Sequence, residues 1–331
     1  MKKNIAVVGC GHWGKNLVRN FAELGALAAV CDPNIELAQY YAKQYKVNKL
    51  SFSEIINDAS IEGVVLAVPA PLHASMACEA ARAGKHIYVE KPLALNQVDA
   101  EKMIAAASEY KVKLMVGHLL QYHPVFVALR KLVECDELGE IQYIYSNRLS
   151  FGKVRSEEDV IWSFAPHDIS MILALVRQEP LLVRTESANI LQADIADTAT
   201  LHIEFESGLK SHIAISWLHP YKEQKLVVVG KKGMAVFDDN RAWDEKLAFY
   251  GHTTERANGV PVLRKSEVTY IKVTESEPLR NECQHFTDIV NSDLAPLTNG
   301  HEGMSVLNVL SAASASQKMN KSCGVGQNVE C

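Results

Sequence analysis

Short apolar runs alternate with segments of helical periodicity through the first third of the chain. Residues 4–8 form one run, ending in glycines, and Leu17, Val18, Phe21 and Leu24 then recur at helical spacing. A second run at 27–30 stops at Cys31, Asp32, Pro33 and Asn34, after which Ile35–Tyr45 is again helical in pattern. Runs at 63–68, His86–Val89 and 114–117 continue the alternation, with helix-like segments at 72–83 and 97–109. Strands that are apolar throughout are covered on both faces, so this pattern predicts a parallel sheet flanked by helices.

The grammar changes near residue 120. Pro124 opens a helix carrying Val125, Ala128, Leu129, Leu132 and Val133, and Gly139 introduces an alternating stretch at 141–150. Thr198–Phe205 and 209–217 flank a Ser207-Gly208 turn, and further strands are expected at 225–229, 233–237, 247–250 and 268–273. Helices at 280–291 and 303–319 close the chain. The predicted fold is therefore α/β. A parallel α/β domain spans 1–121, and an α+β domain spans 122–331 with a large, mostly antiparallel open sheet. One face of such a sheet needs outside cover, which predicts a homo-oligomer.

Composition narrows the partners. The chain has 331 residues, 48% of them hydrophobic, and 34 basic against 39 acidic side chains give a formal charge of -5. No bulk positive field exists to hold nucleic acid. No apolar run reaches the ~20 residues of a membrane span, and the N-terminal apolar run is too short for a signal peptide. Seven cysteines, scattered and without a C-x-x-C pair, argue against a disulfide framework or a structural zinc and fit a reducing cytoplasm. The remaining histidines, among them His202, His212 and His219, show no metal-ligand spacing.

Gly9, Gly11, His12, Trp13 and Gly14 lie in a G-x-G-x-x-G run between the first strand and the first helix, where backbone N–H groups and a helix N-terminus can meet a pyrophosphate. Asp32 ends the second strand near the usual spacing of about 20 residues. A carboxylate there accepts ribose hydroxyls and repels a 2′-phosphate, which favours NAD over NADP and makes 1–121 a dinucleotide-binding domain of the Rossmann type. Glu90, Lys91 and Pro92 follow the strand His86–Val89, at the sheet edge where such folds bind ligands.

The glycine fingerprint, the run Val68-Pro69-Ala70-Pro71-Leu72-His73 and Glu90-Lys91-Pro92, in this order, resemble the Gfo/Idh/MocA oxidoreductase family along nearly the whole chain. The resemblance implies that Val68, Pro69, His73, Glu90, Lys91, Pro92 and His118 line the cofactor, with Lys91 beside the nicotinamide and the reacting hydroxyl. It also implies a catalytic histidine, matched to His167 in Ala165-Pro166-His167-Asp168. An imidazole can take the hydroxyl proton of a secondary alcohol while Lys91 donates to the developing alkoxide, and the two roles can be exchanged. Many polyol dehydrogenases of the family carry an aspartate four positions before that histidine; here Ser163 stands there, and Asp168 points about 100° away around the helix.

Longer stretches, 117–124, 146–158 and 161–168, resemble the family's nucleotide-sugar oxidases, those acting on the 3-hydroxyl of UDP-N-acetylglucosamine. Arg148, Lys153 and Arg155 would then hold the diphosphate, Trp162 would stack on sugar or base, and Tyr122 would hydrogen-bond the sugar. Such a product is aminated downstream by a PLP-dependent aminotransferase in amino-sugar synthesis for lipid A or surface glycans, and family members form dimers or tetramers. The corresponding UDP-uronic acid, a free polyol, and a non-catalytic NAD-linked sensor stand as alternatives.

Overall fold

The computed structural model describes every residue except Met1, Lys153, Asp293 and 327–331, with the Glu255 side chain also left aside. The chain divides into two compact units, the first running to Tyr122 and resuming over Glu277–Leu307, the second covering His123–Ser276 and resuming at Asn308. The first boundary lies where the grammar changes. The closing helical region differs from expectation, because much of it returns to the first unit.

In that first unit, β1 (Ile5–Val8), β2 (Leu27–Cys31), β3 (Asn48–Lys49), β4 (Gly63–Leu66), β5 (His86–Val89) and β6 (Leu114–Val116) form a parallel sheet ordered β3-β2-β1-β4-β5-β6. The helices α1 (Gly14–Glu23), α2 (Ile35–Tyr45), α3 (Phe52–Asn57), α4 (His73–Arg82) and α5 (Gln97–Glu109) connect the strands. Local chemistry sets their ends. Asn34 caps α2 by accepting from Leu37 N–H at 3.1 Å, and Ser51 with Glu54 forms a capping box on α3. The strand order reverses between β1 and β4, which opens the ligand crevice at their carboxyl ends.

Residues 277–307 return to this unit because α8 (Pro278–Asn291) carries an apolar stripe of Leu279, Cys283, Phe286, Ile289 and Val290, all buried. Phe286 meets Phe21 and Tyr88 edge-on at 6.2 and 5.7 Å. A Cβ on Gly63 would come within 2.8 Å of Val290 and 3.2 Å of Phe286, so the glycine lets β4 approach α8.

The second unit starts with α6 (Pro124–Glu134), β7 (Ile141–Phe151), α7 (Val160–Val176), β8 (Pro180–Ala188), β9 (Thr198–Phe205), β10 (Lys210–Ser216), β11 (Leu218–Gly230) and β12 (Met234–Asp238). It continues with β13 (Leu247–Tyr250), β14 (Thr253–Ala257), β15 (Val260–Arg264), β16 (Val268–Tyr270) and, after α9 (Gly300–Met319), β17 (Cys323–Gly324). Among the described residues nine strands form one sheet, ordered β16-β13-β12-β11-β7-β10-β9-β8-β17, and only β7 and β10 pair in parallel. Period-two alternation sends Ile144, Ser146 and Arg148 of β7, and Ile213 and Ile215 of β10, to the buried face with α7. Tyr143, Tyr145, His202, His212 and Val227 are half-buried on the other face. No helix among the described residues is long and apolar enough to cross a membrane. Cys10, Cys31, Cys78, Cys135 and Cys283 are free thiols, whereas Cys323 is disulfide-bonded, which the scattered spacing did not predict.

Candidate active site

The loop from β1 to α1 is built around three glycines that are needed for different reasons. A Cβ on Gly9 would sit 2.4 Å from the carbonyl oxygen of Ala67, and Gly9 has a φ of +94°. A Cβ on Gly14 would fall 1.9 Å from the Gly9 carbonyl oxygen. Both positions are dictated by the protein's own packing. Gly11 is different: a Cβ there would meet nothing within 4 Å among the described residues. Its exposed backbone is the open cradle that a close-approaching pyrophosphate requires, and the residues present fit a dinucleotide.

Asp32, just past β2, is fixed beside this loop. Its Oδ2 accepts from Cys10 N–H at 2.7 Å and its Oδ1 from Asn34 N–H at 2.8 Å, which leaves further lone pairs for ribose hydroxyls. Burial, and after it the negative charge of Asp32, pushes the Cys10 thiol up to about 12, so that thiol stays protonated. His12 is exposed on the same loop.

On the other side of the reversal, Glu90 ties the loop to the end of β5. Its Oε1 accepts from Trp13 Nε1–H at 2.6 Å and from the Tyr88 hydroxyl at 3.2 Å, and its Oε2 accepts from the Lys91 N–H at 3.2 Å. Lys91 is half-buried and is followed by a cis bond to Pro92. His73 clamps the neighbouring segments, its Nδ1 lying 2.9 Å from Pro92 O and its Nε2 3.0 Å from Val68 O. Burial lowers the His73 pKa despite those carbonyls, and the neutral ring donates to only one of them. Val68, Pro69, His73, Glu90, Lys91 and Pro92 are thus gathered at the carboxyl ends of β4 and β5.

His118 and Tyr122 have other partners. His118 is buried with Nδ1 2.5 Å from Glu302 Oε2, and Gln121 Nε2 donates to Glu302 Oε1 at 2.7 Å. Tyr122 buries its hydroxyl 2.9 Å from Thr298 Oγ1, and that threonine hydroxyl donates to Val116 O at 2.6 Å. The phenol is a pin inside the unit, which corrects the expectation that it hydrogen-bonds a sugar.

In the second unit His167 lies inside α7, whose N-cap is Asp159, accepting from Trp162 N–H at 3.0 Å. Pro166, just before it, supplies no N–H to the helical ladder. The adjacent Asp168 is 1% exposed and accepts from Ser146 Oγ at 2.6 Å, Arg148 Nε at 2.6 Å and Arg148 Nη2 at 3.2 Å. Arg148 is therefore not part of an open cation cluster: strand parity turns it inward onto Asp168. Arg155 is exposed and pairs through Nε with Glu158 Oε1 at 3.1 Å, while Lys153 lies outside the described residues. Trp162 donates from Nε1 to Ser314 Oγ at 2.9 Å, anchoring α7 to α9, and its ring is half-buried.

A model of the oxidoreductase family Gfo/Idh/MocA, NAD-binding Rossmann fold, matches residues 3–118, and the Gfo/Idh/MocA C-terminal domain model matches 126–236. The chain belongs to the Gfo/Idh/MocA oxidoreductase family. Among similar members is the UDP-N-acetylglucosamine 3-dehydrogenase of Acidithiobacillus ferrooxidans, 27% identical over 304 residues, covering 91% of this chain and 93% of that protein. The inositol 2-dehydrogenase of Rhizobium meliloti is 24% identical over 327 residues, covering 95% and 96%. A solved structure of the Acidithiobacillus enzyme superposes with a TM-score of 0.84 at 25% identity, covering 96% of this chain and 98% of that one. The protein is thus an oxidoreductase whose first unit is the family's NAD-binding domain.

Two carboxylates of the first unit that lie behind the crevice residues escape motif reading, Glu302 beside His118 and Glu282 within α8. Glu282 had a signal: it falls within the apolar stripe of α8, where a charged residue has no ordinary reason to be.

Proposed function

We propose that this protein oxidises the 3-hydroxyl of UDP-N-acetylglucosamine to the 3-keto sugar with NAD. The observation that carries the substrate is the near full-length likeness to the Acidithiobacillus enzyme in sequence and fold. NAD supplies the acceptor for the carbinol hydrogen and its electron pair. Lys91 donates a hydrogen bond to the reacting oxygen, held on its backbone by Glu90, and His167 accepts the hydroxyl proton. The keto product suits a PLP-dependent aminotransferase acting next, in amino-sugar synthesis for lipid A or other surface glycans. The half-buried outer face of the nine-stranded sheet supports a homodimer or homotetramer, and the whole reading places the enzyme in the cytoplasm.

Incubating the purified protein with NAD and UDP-N-acetylglucosamine should give NADH and a sugar nucleotide lighter by two hydrogens. Lys91→Ala should lower kcat by about 10²–10³-fold. Absence of both products would sink the assignment. A second reading, oxidation of a free polyol, is favoured by one observation: Arg148 is committed to Asp168 and contributes no open charge toward a diphosphate. Turnover of myo-inositol exceeding that of the UDP-sugar would select it.

A further inference from the structure

Glu282 is the most unusual ionisable group in the first unit. It is 0% exposed, it has no counter-ion or close hydrogen bond among the described residues, and the group facing its carboxyl is the Tyr88 hydroxyl. It lies on α8, where its charge is felt by Tyr88 and Glu90. The Tyr88 hydroxyl in turn donates to Glu90 Oε1, the oxygen that also accepts from Trp13 on the glycine loop. Buried Glu282 and Tyr88 and half-buried Glu90 therefore form a chain reaching from the interior to the crevice where β4 and β5 end.

Two carboxylates that share one phenol, one of them fully buried, resist being ionised together. Burial pushes both Glu90 and Glu282 upward, and the charge of Glu90 pushes Glu282 further, while Trp13, Lys91 and Tyr88 favour the charged form of Glu90. The other charged or titratable neighbours are Cys283, which also feels Glu277 and Arg19, and Tyr122, which also feels Glu302. Lys91 is the cation nearest in sequence to Glu90. A further positive charge arriving in the crevice would favour full ionisation of the pair.

We propose that Glu90 and Glu282 hold one proton between them, linked through Tyr88, and release it when oxidised NAD, with its cationic nicotinamide, binds, whereas they keep it when neutral NADH binds. A carboxyl O–H bond breaks, the proton passes to the buffer, and no electron moves. The inference rests on the crevice taking NAD but does not depend on the identity of the sugar. Because a proton leaves, affinity for oxidised NAD rises with pH, by up to tenfold per unit across the window in which the pair titrates. Affinity for NADH stays flat across that window.

Calorimetric titration in two buffers of different ionisation enthalpy counts the protons directly. The wild type should release a substantial fraction of one proton on binding NAD and close to none on binding NADH. Glu282→Gln should abolish the release while leaving NADH affinity within about threefold, and NADH binding reports that the variant is folded. Should that variant fail to fold, Tyr88→Phe keeps both carboxyls but cuts the hydroxyl link, and it should move the pH window. Equal proton counts for the two cofactor forms, or wild-type release persisting in both variants, overturns the proposal while leaving NAD binding intact. Failure to bind either form would overturn the NAD reading as well.

Discussion

Asp168 and Glu282 are both carboxyls enclosed to within 1% of full burial, one in each unit, and their surroundings are opposite. Asp168 receives three hydrogen bonds from Ser146 and Arg148, and a guanidinium matches its charge. Asp197, also in the sheet unit, is treated the same way, accepting from Trp217 Nε1 at 2.6 Å and from the N–H groups of Ile190 and Leu191 at 2.7 Å each. Glu282 has only the Tyr88 hydroxyl facing it and, among the described residues, no cation. A matched buried charge fixes geometry, here the turn of α7 that carries His167. An unmatched one holds free energy that a change in proton or ligand can draw on.

Breaking the matched pair gives the largest effect. Arg148→Ala leaves Asp168 buried without its counter-ion and should cost about 3–5 kcal/mol in urea unfolding. In the surviving folded fraction kcat should fall more than KM rises; the reverse split would return Arg148 to substrate binding. Next comes Asp239, which sits 3.4 Å from His123 Nε2 and also pairs with Lys246. Burial alone would raise its pKa, but hydrogen bonds from those partners prevail and bring it to about 2. A depressed carboxyl stabilises the fold above its unfolded pKa, so on the order of 2 kcal/mol should disappear as pH falls from about 4 through 2. Asp239→Asn should flatten that part of the stability curve.

Glu282→Gln has the opposite sign. A carboxyl whose pKa is raised by folding destabilises the protein as pH climbs, so this variant should be more stable than wild type by on the order of 1 kcal/mol at about pH 8. The gain should shrink toward pH 5, and a gain independent of pH would mean that Glu282 is matched after all. Arg155→Ala should be the smallest, under about 1 kcal/mol, because its pair with Glu158 is exposed. A large rise in KM for a UDP-sugar without loss of stability would instead mark Arg155 as a phosphate contact.

The same contrast governs what could be read in advance. Continuous apolar strands, the three glycines and Asp32 are local signals, and they placed the parallel sheet and its crevice. Arg148 carried a readable cue that composition obscured, since it shares strand parity with the buried Ile144 and must face inward. The hydrogen-bond partners of Tyr122 and Trp162 could not be read in advance, because Thr298 and Ser314 lie more than a hundred residues away. The return of α8 to the first unit is likewise long-range, resting on Gly63 opposite Phe286 and Val290. The hairpin of β14 and β15 had a strong local sign in Asn258-Gly259, both at positive φ, but its exposed strands lack an alternating apolar face.

Gly11 offers an experimental handle of another kind. Because a methyl group there displaces no atom of the protein, Gly11→Ala should melt like the wild type when cofactor-free, yet lose the thermal upshift that added NAD confers. Such a chain would be intact and blind to its nucleotide. In a cell it would separate what this oxidoreductase does by turnover from whatever it does by its presence.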